Sequence, residues 1–266
     1  MLENKDVYKG RINVAGFVWR LLRGKKSLLS SDPLKELIGK YISLEKLDPE
    51  VRFRMGTVSL VTGNYHYFQP SDFTNNTELR KAVLASAVMP VIWEPVEKIS
   101  ASGQEFLDMV DGGIRNISPL EDVLNFHPDE VIVINCSPFN KPIPTDALAG
   151  SSLFQIAKRS LIEIAMNEIF LGDLRGFLRI NKLVLQAEKQ NVSLLDEKGR
   201  TLKAYKTILI NPEADLGDML DFSQNSIQAR LKKGYKAAEK AFETYTHEKD
   251  QKLHTNLTAG QMDKTA

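Results

Sequence analysis

Asp111-Gly112-Gly113 closes the run Phe106-Leu107-Asp108-Met109-Val110, an apolar stretch of strand length that stops at a carboxylate followed by two glycines. A strand ending this way puts an acid on a sharp turn, where it can take or give a proton. Asp-Gly also makes plain turns, so the flanks decide between the two readings. Asp108 is not expected to join Asp111, because residues three apart on a strand of period two point to opposite faces.

Other residue types that could do chemistry are scattered. His66, His127, His247 and His254, with the single Cys136, form no metal-ligand spacing, so neither a metal nor a cofactor is expected. His66 sits in the alternating Tyr65-His66-Tyr67 and reads as an ordinary strand residue. Gly24-Lys25-Lys26-Ser27 lacks the earlier glycine of a phosphate loop and the hydroxyl directly after its first lysine. No Gly-x-Gly-x-x-Gly follows the strand that ends in Asn135-Cys136-Ser137, and Cys136 reads as a buried, inert strand end. Ser86, late in a helix without flanking glycines, reads as a packing residue.

The elements that must position Asp111 follow from periodicity and punctuation. Arg52 to Val61 reads as a strand, and Thr62-Gly63-Asn64 turns it into a second strand through Tyr65, Tyr67 and Phe68. Thr77 can cap a helix that continues through Ala82, Ala85, Ser86 and Ala87 until Pro90 forbids it; its small residues permit close packing against a sheet. Val91 to Val96 reads as a loop and edge segment. Ser31-Asp32-Pro33 opens an earlier helix that runs to about Tyr41. Beyond the glycines, Ser118-Pro119 opens a short helix, and Glu130 to Cys136 is a continuous apolar strand of the kind buried on both faces of a parallel sheet. A linker over 137–151 leads into a helical region from Leu153 to about Arg179. Lys182 to Ala187 and Tyr205 to Ile210 read as strands, and Gln224 to about Tyr245 as a last helix. The strand, helix, strand order marks an α/β fold.

The chain has 266 residues with 35 Lys and Arg against 34 Asp and Glu, so no overall charge excess points to nucleic acid. One cysteine permits no internal disulfide, the start lacks signal-peptide character, and no 18-residue apolar run is present. A cytoplasmic protein is expected. The segment Val14 to Leu22, apolar at Phe17 and Trp19 and then basic through Arg20 and Arg23, reads either as a basic helix end or as a peripheral contact with a lipid surface.

The run Leu79-Arg80-Lys81-Ala82-Val83-Leu84-Ala85-Ser86-Ala87-Val88-Met89-Pro90, then Glu94-Pro95-Val96, then Asp111-Gly112-Gly113 with Asn116 and Pro119 following, resembles the second half of the patatin-like phospholipase domain. That family's pattern is a helix ending in Ala-Ser and a small residue before proline, a strand, and Asp-Gly-Gly or Asp-Gly-Ala. Phe17 to Tyr41 and the last helix with Gly234 are similar in kind, and the likeness reaches about Phe242. The resemblance implies a three-layer α/β fold with a mainly parallel central sheet, and lipid acyl-ester hydrolysis by a serine and aspartate dyad. Asp111 would be the base, and Gly112 and Gly113 would let backbone approach it.

The nucleophile's Gly-x-Ser-x-Gly and the preceding glycine-rich oxyanion loop are absent from the sequence; Gly56-Thr57-Val58-Ser59 and Gly150-Ser151-Ser152 lack the spacing. The expectation is a patatin-like domain over 1–246 that is incomplete at its amino end, followed by a disordered tail over 247–266. It would be inactive alone, with the serine supplied by a separate segment and a lipid ester as substrate. The alternative is a non-catalytic remnant or an interaction module for lipid surfaces or proteins.

Overall fold

The computed structural model describes residues 3–10, 27–116, 119–136, 156, 160, 164, 166–218 and 220–262, with 166, 167 and 247–262 described as backbone. The segment Val14 to Leu22, the Ser118 cap, the 137–151 linker and the start of the helical region after Leu153 lie outside them. Where the sequence suggests one domain, contacts divide the chain into two compact units. The first is Met1–Leu120 with Ser152–Leu174, and the second is Glu121–Ser151 with Arg175–Ala266.

The first unit is a mixed α/β body. It contains α1 (Asn4–Val7), α2 (Asp32–Tyr41), β1 (Met55–Ser59), β2 (Tyr65–Phe68), α3 (Asn76–Ala85), β3 (Val96–Ala101) and β4 (Gln104–Asp111), with 3-10 turns at Leu44–Lys46, Pro70–Asp72 and Gly112–Ile114. The strands form one sheet in the order β2-β1-β4-β3, and every neighbouring pair is antiparallel. The expected mainly parallel central sheet is therefore corrected for the described strands. Short turns join β1 to β2 and β3 to β4 and enforce antiparallel pairing there, while β1 and β4, with residues 60–103 between them, pair antiparallel without one. Thr62-Gly63-Asn64 turns β1 into β2 as expected. Ser102-Gly103 turns β3 into β4, and both residues have positive φ (49° and 76°), as a two-residue turn that matches strand twist requires.

Helix α3 covers this sheet. Its N-cap is Asn75, not Thr77: the Asn75 side chain accepts the Glu78 N–H at 3.0 Å, satisfying a donor that has no partner inside the helix. Leu79, Ala82, Leu84 and Ala85 are buried, so the small residues let the helix axis come close to the strands. The core of this unit also holds Val58, Phe68, Ile99, Met109 and Val110, with Phe68 edge-on to Phe106 at 5.0 Å between ring centres.

Helix α4 (Leu120–Leu124) stands at the boundary between the units in sequence. In the second unit β5 (Glu130–Ile134) and β6 (Lys206–Ile210) pair in parallel, and α6 (Gln224–Met262) lays Ala237, Ala238, Ala241 and Tyr245 against Ile208 and Ile210. Val131 and Val133 are buried, but Ile132 and Ile134 are 52% and 65% exposed. The strand expected to be buried on both faces is thus covered on one. Cys136, expected to be buried, is exposed.

Two further expectations are corrected. Lys182 to Ala187 is not a strand but the end of α5 (Met166–Glu188), because Leu, Lys, Gln and Ala are good helix formers and nothing there stops a helix already under way. For the same reason α6 runs past Tyr245 to Met262: the polar stretch after 246 lacks apolar period but is free of proline, and elongation is far cheaper than nucleation.

Candidate active site

Asp111 ends β4 and caps the turn Gly112–Ile114. Three backbone ties fix it. Its residue pairs across the ladder with Thr57 of β1, its N–H donates to the Val88 carbonyl at 3.0 Å just beyond α3, and its carboxylate Oδ1 accepts the Gly113 N–H at 2.8 Å. The turn is closed behind it by the Arg115 and Asn116 N–H groups, which donate to the Gly112 carbonyl at 3.0 and 2.8 Å. The Arg115 guanidinium in turn donates to the Gly63 carbonyl in the β1 to β2 turn.

Gly112 is required by space. A Cβ at this position would lie 2.6 Å from the Gly56 carbonyl carbon, 2.8 Å from its oxygen and 2.9 Å from the Thr57 nitrogen. These are backbone atoms of β1, which cannot swing aside. Gly56 is itself close-fitted, since a Cβ there would lie 2.6 Å from the Tyr65 hydroxyl. The missing Cβ of Gly112 thus lets the Asp111 turn press onto the backbone of β1, while that of Gly56 leaves room for the Tyr65 side chain. Gly113 contributes the N–H that holds the carboxylate.

The electrostatics follow from this packing. Burial pushes the Asp111 carboxyl above the ordinary aspartate range, and the Gly113 N–H, which favours the charged form, opposes that shift only in part. Among the described residues no cation pairs with it, and Oδ2 accepts no hydrogen bond. The result is a partly desolvated carboxylate with a raised proton affinity and one free oxygen, which is the form a general base takes.

The other sequence candidates fall elsewhere. Asp108, at φ +47°, lines a groove between α2, α3 and the sheet whose lining does not include Asp111. His66 packs edge-on to Phe106 at 4.9 Å. Ser59 is buried, donates to the Leu107 carbonyl at 2.9 Å and accepts the Val61 and Thr62 N–H groups, so it is a turn residue. Ser86 is the C-cap of α3. Ser151 and Ser152, like Phe17, Trp19, Arg20 and Arg23, lie outside the described residues. Among the described residues no three His, Cys, Asp or Glu side chains could hold a metal ion. Gly56, Thr57 and Val88 are the positioning residues that sequence reading missed. The signal for Gly56 was present, since a glycine inside a strand marks close backbone approach.

The family model for patatin-like phospholipase matches residues 2–124, a span that includes Asp111, Gly112 and Gly113 and stops short of Phe242, to which the likeness was expected to reach. No curated protein matches the chain.

Proposed function

From a chain that is patatin-like over residues 2–124, we propose a lipid acyl-ester hydrolase in which Asp111 is the base of a serine and aspartate dyad. The serine is carried by a segment outside this sequence. The observation that carries the reading is the Asp111 carboxylate itself, held by backbone on a glycine turn, its Oδ1 bonded to Gly113 N–H and its proton affinity raised by burial.

A serine hydroxyl placed against Oδ2 would lose its proton to the carboxylate as its oxygen attacks the ester carbonyl carbon. Collapse of the tetrahedral intermediate would return that proton to the departing alcohol, leaving an acyl-enzyme that water cleaves by the same route. The dyad needs no third residue to orient its base, because the ladder, Val88 and Gly113 already do so. The proposal extends the domain, a three-layer patatin-like fold, through residue 246. It also places a peripheral lipid contact at Phe17, Trp19, Arg20 and Arg23 in a cytoplasmic protein. No helix among the described residues is long and apolar enough to cross a membrane.

The test is complementation. The pure chain should leave a p-nitrophenyl ester and a fluorophosphonate probe untouched. Adding a patatin-like segment that carries Gly-x-Ser-x-Gly should bring both labelling and turnover, and Asp111→Asn should then lower turnover by about a hundredfold or more. Complemented turnover indifferent to Asp111→Asn would refute the base. Liposome binding without labelling under any condition would favour the interaction module.

A further inference from the structure

In the second unit α6 covers only half of the small parallel sheet. It lays Ala237 and Ala241 on Ile208 and Ile210 of β6. Residues paired in a parallel ladder share a face, so Ile132 and Ile134, the partners of Ile208 and Ile210, lie on that same side in β5. The helix does not reach over them, and both stay exposed.

The two flanks of α6 differ. On one, Arg230 and Lys233 donate to the Leu216 and Asp215 carbonyls at 3.0 and 2.7 Å, and Lys240 pairs with Glu213. These bonds lay the chain that follows β6 along the helix. The other flank is turned toward β5, where the Tyr245 hydroxyl donates to the Glu130 carboxylate. There Leu231, Tyr235 and Phe242 are 57%, 76% and 42% exposed, and at 3.6 residues per turn they fall within about 40° of one another around the helix. Large apolar side chains gathered in one exposed stripe mark an interaction surface.

The spacing selects the partner. Gln228, Leu231, Tyr235, Ala238, Phe242 and Tyr245 alternate three and four apart, the a and d positions of a coiled coil, and Lys232 and Glu239 take the flanking e positions. Neither Lys232 nor Glu239 has an ion pair among the described residues. Two copies of α6 set antiparallel put Leu231 against Phe242 of the second copy and Tyr235 against its Ala238, large beside small. The same alignment brings Lys232 of each copy beside Glu239 of the other. A parallel pair would instead set Lys232 and Glu239 against the apolar Ile227 and against Gly234.

We propose that this flank of α6 is the interface of an antiparallel two-fold dimer, with a second copy of the chain as its partner. One patch meets itself, as a two-fold contact requires, and the aromatic residues at its centre are of the kind that carries binding energy. Residues 228–245 give a contact about 27 Å long, with Ile132 and Ile134 beside it on β5. The surface lies outside residues 2–124 and does not depend on Asp111, so it stands or falls apart from any hydrolytic role.

Sedimentation equilibrium of the full chain at about 100 μM should give twice the chain mass, falling on dilution. Tyr235→Glu should raise the dimer Kd about tenfold or more while circular dichroism stays unchanged, because the Tyr235 side chain is mostly in solvent. Lys232→Glu and Glu239→Lys should each raise Kd about fivefold, since two symmetric pairs become like-charged, and the double swap should return it to within about twofold of the wild type. Spin labels at Thr246→Cys in a Cys136→Ser background should lie about 30 Å apart in the dimer, against about 10 Å for parallel helices. A monomer at that concentration, a dimer indifferent to Tyr235→Glu, a double swap weaker than either single change, or the short label distance overturns the proposal. Liposome binding by a monomeric wild type that Tyr235→Glu abolishes gives the face to a lipid surface and overturns it as well.

Discussion

Gly112→Ala isolates the geometry that holds Asp111. The added methyl would meet the Gly56 carbonyl carbon at 2.6 Å, about 0.8 Å inside the 3.4 Å at which ordinary contact begins. Because the clash is with backbone, the turn must lift off β1 or β1 must bend away, and either movement strains the pairing of Asp111 with Thr57. Overpacking a well-filled site costs about 1–3 kcal/mol, and a rigid neighbour puts this case near the top, about 3 kcal/mol. At roughly 2–4 °C per kcal/mol for a chain of this size, the first unit should melt about 6–12 °C lower. Buried Trp93 reports that unit's unfolding by fluorescence in a Trp19→Phe background. Gly39→Ala is the control in the same unit: the position lies inside α2 with nothing within 4 Å of the added methyl, so it should stabilise by about 0.5–1 kcal/mol. If both substitutions moved the midpoint upward alike, the close approach of Gly112 to Gly56 would not exist in solution.

Asp111→Asn should raise stability at neutral pH. Burial lifts the folded-state value above the unfolded one, so the stability that wild-type Asp111 retains at low pH is lost as pH rises through the folded value; the gain from Asn should shrink in acid, as urea midpoints across pH would show. Asn75→Ala removes the cap that accepts the Glu78 N–H and should cost about 1 kcal/mol, read from the same transition; no change would mean that water replaces the cap. Val91 is β-branched, 65% exposed and at φ 72°. Val91→Gly should therefore stabilise, since relief of about 1–2 kcal/mol of left-handed strain exceeds the roughly 0.5–1 kcal/mol entropic cost of glycine, and a lowered urea midpoint would contradict this.

The sequence shows the parts of the fold that turn chemistry and caps dictate. Thr62-Gly63-Asn64 marks the β1 to β2 hairpin, and the small residues before Pro90 mark the helix that lies on the sheet. It conceals whatever depends on strand direction: Glu130 to Ile134 does pair in parallel, but β4, which carries Asp111, pairs antiparallel with both β1 and β3, which an apolar run cannot reveal. Lys182 to Ala187 misleads because Leu-Val-Leu suits a strand as well as the end of a long helix, and only the preceding turns decide. At the site, Asp111 and its glycines are legible from their flanks. Gly56 is legible only as a strand glycine that marks some close backbone approach, since which element approaches depends on a partner far along the chain.

The way Asp111 is held bears on what can complete it. A base oriented by side chains depends on each of them, and in the Ser-His-Asp arrangement the third residue exists to orient the second. Here orientation comes from a ladder pair, a carbonyl just beyond α3 and the N–H of the next glycine but one, all within residues 57–113. The carboxylate is therefore set before any nucleophile arrives. The burial that raises its proton affinity is built into the same sheet, at a cost in folding stability whenever the group is ionised. Under the proposed dyad, a serine would need to bring only its own hydroxyl and the donors for the oxyanion, and Asp111 would need no rearrangement to receive the proton.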